Sequence, residues 1–320
     1  MIDLPVPQFA QEIASAQVPD VAMMQVGGGT IPRRESELPL PHRRKGKAEP
    51  AGGLSGQDRK GEGEPKLERP DLPERDRLAD CLAKAASNPD AAMVEAQVWL
   101  GEGRSAAQQV RANHCLGVLR ANAGDFDAAA DAFAAAVAGI PAEQEVAAVP
   151  LMAMAGNAAL AGGKADAALG WFDRALAVKD YADAPALGAI QIDRSRALVA
   201  LGRTVDAAAA LHEAHRLAPA DAEGWLLSAT LARRQGSLAL AQRDIETAAR
   251  LDPRDPRIGL EAGVIAVLAG RDEAARKSWE SVIALDRDGD LARTAQGYLD
   301  QLGPVADTAP PAATGEKSGS

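Results

Sequence analysis

The chain has 320 residues, of which 47% are hydrophobic and only 3% aromatic, and its formal net charge is -10. That acidic balance excludes a general nucleic-acid binder, which needs a basic face to neutralise phosphates. Apolar content dominated by alanine excludes a strand-rich fold, and no apolar run approaches the roughly 18–20 residues that a membrane span needs.

Residues 1–72 mix Pro, Gly, Gln and interleaved charge, as in "PHRRKGKAEPAGGLSGQDRKGEGEPKLERPDLPE". Such a segment cannot bury enough surface to offset its ordering entropy, so it is read as disordered. The apolar runs before Arg33, of which "VAMM" is the best, are too short for a signal-peptide core, and the sequence as written is expected in the cytoplasm. "VGGGTIP" at 26–32 is glycine-rich but lacks the Lys-Ser and following helix of a phosphate loop. Residues 73–109 read as two helices with a break near Asn88 and Pro89, a degenerate leading pair or cap.

From residue 110 the sequence is helical and self-similar. Gly124, Gly163, Gly202, Gly236 and Gly270 each lie between two apolar-periodic runs, spaced 39, 39, 34 and 34 residues apart. Each is followed in fixed register by Ala129, Ala168, Ala207, Ala241 or Ala275. A large residue comes next (Phe133, Phe172, Leu211, Ile245 or Trp279), then a small one (Ala136, Ala175, Ala214, Ala248 or Val282). Pro141, Pro219 and Pro253 end three of these units, and Asp180 and Arg287 stand where the proline of the other two would be. The units are 110–143, 149–182, 188–221, 222–255 and 256–289, with extra loop residues expected at 142–148 and 182–187. Residues 290–303 place Leu291, Ala295, Tyr298 and Leu302 on one face, which suits a terminal solvating helix. A small-residue, Pro-rich tail at 304–320 is read as disordered.

This order of residues resembles the tetratricopeptide repeat, whose pattern runs W-x2-L-G-x2-Y, A-x3-F, P over about 34 residues. Residues 110–143 match through Leu116, Gly117, Gly124, Phe126, Ala129, Phe133, Ala136 and Pro141, and 222–255 through Trp225, Gly236, Ala241, Ala248 and Pro253. The other units keep the glycine and the small positions. The resemblance implies an all-α, right-handed superhelical solenoid of antiparallel helix pairs, with small residues at the crossings and large ones wedged between units.

Little in the sequence carries catalysis. No G-x-S-x-G, phosphate loop or dinucleotide fingerprint occurs, so neither an enzyme nor a cofactor is expected. His212 and His215 share a helix face around Glu213, but His42 and His114 lie far away; two imidazoles are too few for structural zinc, and no metal is expected. Cys81 and Cys115 leave two readings open. If the leading pair packs on the first repeat they come within disulfide range, which would imply an oxidising compartment, a start further upstream and a periplasmic home. Otherwise they are small buried thiols of a cytoplasmic protein.

The resemblance also implies a groove lined by the first helix of each unit. The lining positions carry over to His114 and Val118; Ala153, Asn157 and Leu160; Ile192, Arg196 and Val199; Leu226, Thr230 and Arg233; and Arg257, Leu260, Val264 and Val267. Asn157, Arg196, Thr230 and Arg233 form its polar centre, where Asn would hold a peptide backbone and Arg would fork onto a carboxylate. His114 and Val118 stand where the family's carboxylate clamp wants Lys and Asn, so that specificity is not implied. The competing reading pairs these arginines with Asp193 and Glu223. Arg194, standing where the pattern has Leu, is expected to pair internally with Asp193. The function implied is a non-catalytic scaffold or adaptor that binds a protein or peptide segment. Alternatives are a sensor of peptides or small ligands and, if the chain is exported, an accessory factor of cell-envelope assembly; self-association stays open.

Overall fold

Seven helices begin where the sequence supplies a side-chain acceptor at the N-cap for their orphan N–H groups. The side chains of Asp76, Asn88, Ser105, Asp125, Asp183, Asp221 and Asp255 accept first-turn amides, and prolines 89, 150, 185 and 256 stand in first turns, where no amide is needed. In the computed structural model, which describes residues 76–103 and 105–303, this gives thirteen α-helices and one 3₁₀ stretch. The segments expected to be disordered, the glycine-rich stretch at 26–32 and His42 lie outside the described residues.

Helices α1 (Arg77–Ser87) and α2 (Pro89–Glu102) form the leading pair, with Asn88 alone between them. Five further pairs follow: α3 (Ala106–Asn122) with α4 (Phe126–Ala138), α5 (Val149–Ala161) with α6 (Ala165–Ala177), α7 (Ala184–Ala200) with α8 (Thr204–Leu217), α9 (Ala222–Arg234) with α10 (Leu238–Leu251), and α11 (Pro256–Leu268) with α12 (Asp272–Leu285). Helix α13 (Asp290–Leu302) closes the array. Each helix packs on its neighbours in sequence, as an all-α solenoid requires.

Inside each of the five repeats the chain reverses through a left-handed glycine. Gly236 has φ 75°, the Gly236 amide donates to the Arg233 carbonyl and the Ser237 amide to that of Ala232, each at 2.9 Å; the other four unit glycines hold the same conformation. Asp180, in the place of a proline, also has positive φ, at 66°. The two inserted segments differ from expectation and from each other. Residues Ala142–Ala148 wind into the 3₁₀ stretch, whereas most of 182–187 is not loop: Asp183 caps α7, which begins four residues before the unit boundary.

The helix pairs close by matching a hole to a knob. A Cβ built on Gly117 would lie 2.5 Å from the Phe133 ring, one on Gly156 2.5 Å from Phe172, and one on Gly263 2.5 Å from Trp279 Cδ1. Ser195 and Ala229 hold the same position in the units whose knobs are the smaller Leu211 and Ile245. All five knobs are buried, so this register fixes how closely the two axes approach. At the far end Leu291, Ala295 and Tyr298 of α13 complete a cluster with Leu260, Val264, Val267 and Trp279. Asp286 caps α13 by accepting the Leu291 and Ala292 amides at 3.0 and 3.2 Å.

Candidate functional site: the inner wall of first helices

First helices of successive units touch one another, α5 on α7, α7 on α9 and α9 on α11, and so make a continuous inner wall. Polar side chains cross it as a ladder. The Asn157 amide on α5 donates to Asp193 Oδ2 on α7 at 2.9 Å. Arg196, one turn further on α7, pairs with Asp193 through Nη1 and with Glu223 of α9 through Nη2 at 2.5 Å. Glu223 also receives Arg257 of α11 at 2.8 Å, and Arg257 returns to Asp255 at 2.6 Å. The ladder therefore links the second through fifth repeats.

Its charges are half-buried and mutually satisfied. The Arg196 and Glu223 side chains are 27% and 21% exposed. Burial raises the Asp193 carboxyl above its ordinary range, against the pull of Arg196 and Asn157. Burial also acts to lower Arg257, but Asp255 and Glu223 outweigh it and its guanidinium is held above the ordinary value. Both Arg196 amino groups already face carboxylates, so the fork expected to take a peptide carboxylate is occupied from within.

Other expected groove residues are placed differently. Arg233 lies in the interior: its side chain is 1% exposed and its Nε meets Glu261 Oε1 at 2.6 Å. Arg233 thus joins α9 to α11 inside the stack and is not presented to a partner. Leu226 and Leu260 are core residues as well, at 7% and 0% exposure, Leu260 because α13 packs over it. Thr230 is half-buried near the ladder's level. His114 is half-buried with its ring 6.3 Å from that of Phe133, and burial lowers its pKa. Arg194 does not pair with its neighbour Asp193; it reaches Asp173 on α6 at 2.6 Å, because adjacent residues on a helix diverge by about 100° and Asp193 is turned to the inner wall. Of the two helix-face histidines, His212 is exposed, while His215 stacks on Trp225 of α9 at 3.6 Å between ring centroids.

One register position explains where the links form. Asp193 and Glu261 occupy equivalent places in their units, as do Cys115, Met154 and Leu227. Asp193 reaches back to Asn157 and Glu261 to Arg233, while Met154 and Leu227 pack on the apolar core instead. Sequence reasoning missed Glu261; the available signal was a charge at a position that three of the five units fill with Cys, Met or Leu. At the same register in the leading pair, Cys81 faces Cys115 with α-carbons 6.3 Å apart.

No family model matches the chain, and no curated protein matches it. Solved structures do. PilW, titled a widely conserved type IV pilus biogenesis factor, aligns with 69% of this chain and 96% of its own at 14% identity and a TM-score of 0.59. PilF of Pseudomonas aeruginosa aligns over 70% and 96% at 14% identity, TM-score 0.55. Cut9, from the Cut9–Hcn1 assembly of the APC/C, aligns over 71% of this chain and 42% of its own at 13% identity, TM-score 0.56. With the helix-pair register above, these likenesses establish the fold: the chain is a tetratricopeptide-type solenoid. No helix among the described residues is long and apolar enough to cross a membrane.

Proposed function

We propose that this protein is a non-catalytic scaffold that seats a segment of a partner protein along its inner wall. The observation that carries the reading is the ladder Asn157–Asp193–Arg196–Glu223–Arg257, a pre-organised polar strip crossing four repeats on one surface. Val118, Ala153 and Val199, half-buried on the first helices α3, α5 and α7, supply apolar ground beside it. Because the guanidiniums are internally neutralised, the partner is recognised by its backbone and apolar side chains, with Asn157 and the carboxylate edges as hydrogen-bonding groups. A terminal carboxylate is not required.

Photo-crosslinking tests this. A benzophenone side chain at Ala153 on the inner wall should capture a discrete partner, and one at Arg243 on α10, a second helix outside that wall, should not. Changing Asn157 and Arg196 together to Ala should abolish the first product while the circular dichroism spectrum is kept. Equal capture from Arg243, or capture at Ala153 indifferent to the double change, would place binding elsewhere.

A second reading, an accessory factor of envelope assembly, draws support from the facing cysteines, since disulfides persist in oxidising compartments. Cell fractionation decides it: recovery with cytoplasmic markers removes that reading.

A further inference from the structure

We propose that Cys81 and Cys115 form a reversible disulfide that latches the leading helix pair onto the first repeat. This stands independently of the groove reading. The α-carbon separation of 6.3 Å lies in the range a disulfide spans. The residues are 34 apart in sequence and hold the same position in consecutive units, so the bond crosses the boundary between those units.

A second observation is that, among the described residues, the leading pair has a packing neighbour on one side only. Besides Cys81, the buried apolar residues of α1 and α2 are Ala85, Ala92, Ala96 and Trp99. Leu78, Leu82, Met93 and Leu100 pack half-buried against the same cluster, so the unit is held through that one face. At the register position where later units are joined by ions or by apolar packing, this unit has sulfur. In an array whose units touch only their neighbours, an end unit held on one side opens more readily than an internal one. The latch holds that unit shut.

The chemistry is thiol–disulfide exchange. One cysteine thiolate attacks a low-molecular-weight disulfide such as glutathione disulfide, expelling one small thiolate and leaving a mixed disulfide. The second cysteine then attacks that bond, and two electrons and two protons leave the protein as two small thiols. A reducing dithiol reverses the sequence and is itself oxidised. Cys115 is fully buried and Cys81 nearly so, so the mixed disulfide forms only while α1 and α2 are lifted, docking brings the second cysteine to it, and oxidation traps the docked state. A reductant reaches the bond only as the helices around it fray. Opening uncovers Leu116 and Leu119 of α3, each 2% exposed when docked.

Hydrogen exchange read by mass spectrometry tests the latch on the full chain, oxidised with glutathione disulfide or reduced with a phosphine, beside the variant Cys81→Ala under both conditions. Reduction should speed exchange over residues 77–102 by about 30- to 1,000-fold, as loss of a disulfide across a loop of this length implies, and leave 184–285 unchanged. Cys81→Ala should exchange like the reduced wild type in both conditions. Equal exchange of 77–102 in oxidised and reduced wild type overturns the proposal. So does titration of two free thiols after oxidation, and so does an acceleration spread evenly to residue 302.

Discussion

Gly156 and Phe172 make one contact seen from two helices, and neither residue type is intelligible without the other. Adding a single methyl at Gly156 forces the buried ring to move, so Gly156→Ala should destabilise by about 1–3 kcal/mol despite alanine's better helix propensity. Gly170, on the exposed side of α6, should respond oppositely. A methyl there would meet nothing within 4 Å, and Gly170→Ala should stabilise by about 0.5–1 kcal/mol. Urea midpoints compare the two, and equal signs would refute the knob-and-hole account. Histidine titration gives a further prediction at this scale. Burial lowers His215 from the ordinary value of 6.5, outweighing the raising effects of its Gly224 backbone bond, Asp244 and Asp221, and His114 is lowered by burial too. The unfolded chain then takes up protons that the native chain refuses, so stability is full above about pH 6.5 and falls as pH drops below it. His215→Gln should flatten the slope below about pH 6.5, and a slope unchanged by the substitution would show that other groups carry it. The knobs were legible in sequence because they recur at fixed intervals. The His215–Trp225 stack was not, since it joins two units across a loop and no periodicity announces which residue faces which.

At the scale of helices, two kinds of ionic link join successive units, and they should differ sharply in what they contribute. Arg196 is partly solvated, and its pairs with Asp193 and Glu223 are screened; Arg196→Ala should cost about 1 kcal/mol or less. Arg233 and Glu261 are sealed between α9 and α11. Arg233→Met alone strands a carboxylate in the interior and should cost about 3–5 kcal/mol, while Arg233→Met with Glu261→Met should recover most of it, because apolar replacements of similar volume are tolerated where an unpaired charge is not. A double-mutant cycle by urea denaturation measures the coupling; additive losses would mean that the pair is not a unit. The same contrast shows where sequence reading stops. The resemblance placed Arg196 and Arg233 on one lining row, and both do sit on first helices. Rotation by three residues plus the cover supplied by the next unit separates a wall residue from a core residue, and that cover depends on stacking distances absent from a repeat pattern. Asp193 and Glu223 were named as competing partners of the arginines, and the ladder follows that alternative.

For the whole molecule, stability is approximately a sum of unit and nearest-neighbour contributions, so its two ends carry what the middle does not need. The leading end is held from one side and, on the proposal above, latched. The other end is sealed by α13, whose Leu291, Ala295 and Tyr298 cover Leu260, Val264 and Trp279, and the carbonyl of Gly303 just past it accepts from Arg276 at 2.5 Å. Ending the chain at residue 289 removes that cover and returns large side chains to water, each worth about 1.5–3 kcal/mol when fully buried. It also breaks the Trp279–Tyr298 ring contact at 5.2 Å. The fifth repeat should therefore fray: exchange over 256–285 should quicken about tenfold or more, and the mean helical signal per residue should fall by more than the loss of α13 itself accounts for. The second and third repeats, which share a core with the first and lie away from α13, should keep their protection. A loss of protection distributed evenly from 106 to 285 would mean that the array unfolds as one cooperative body, and the unit-by-unit reading of both ends would have to be abandoned together.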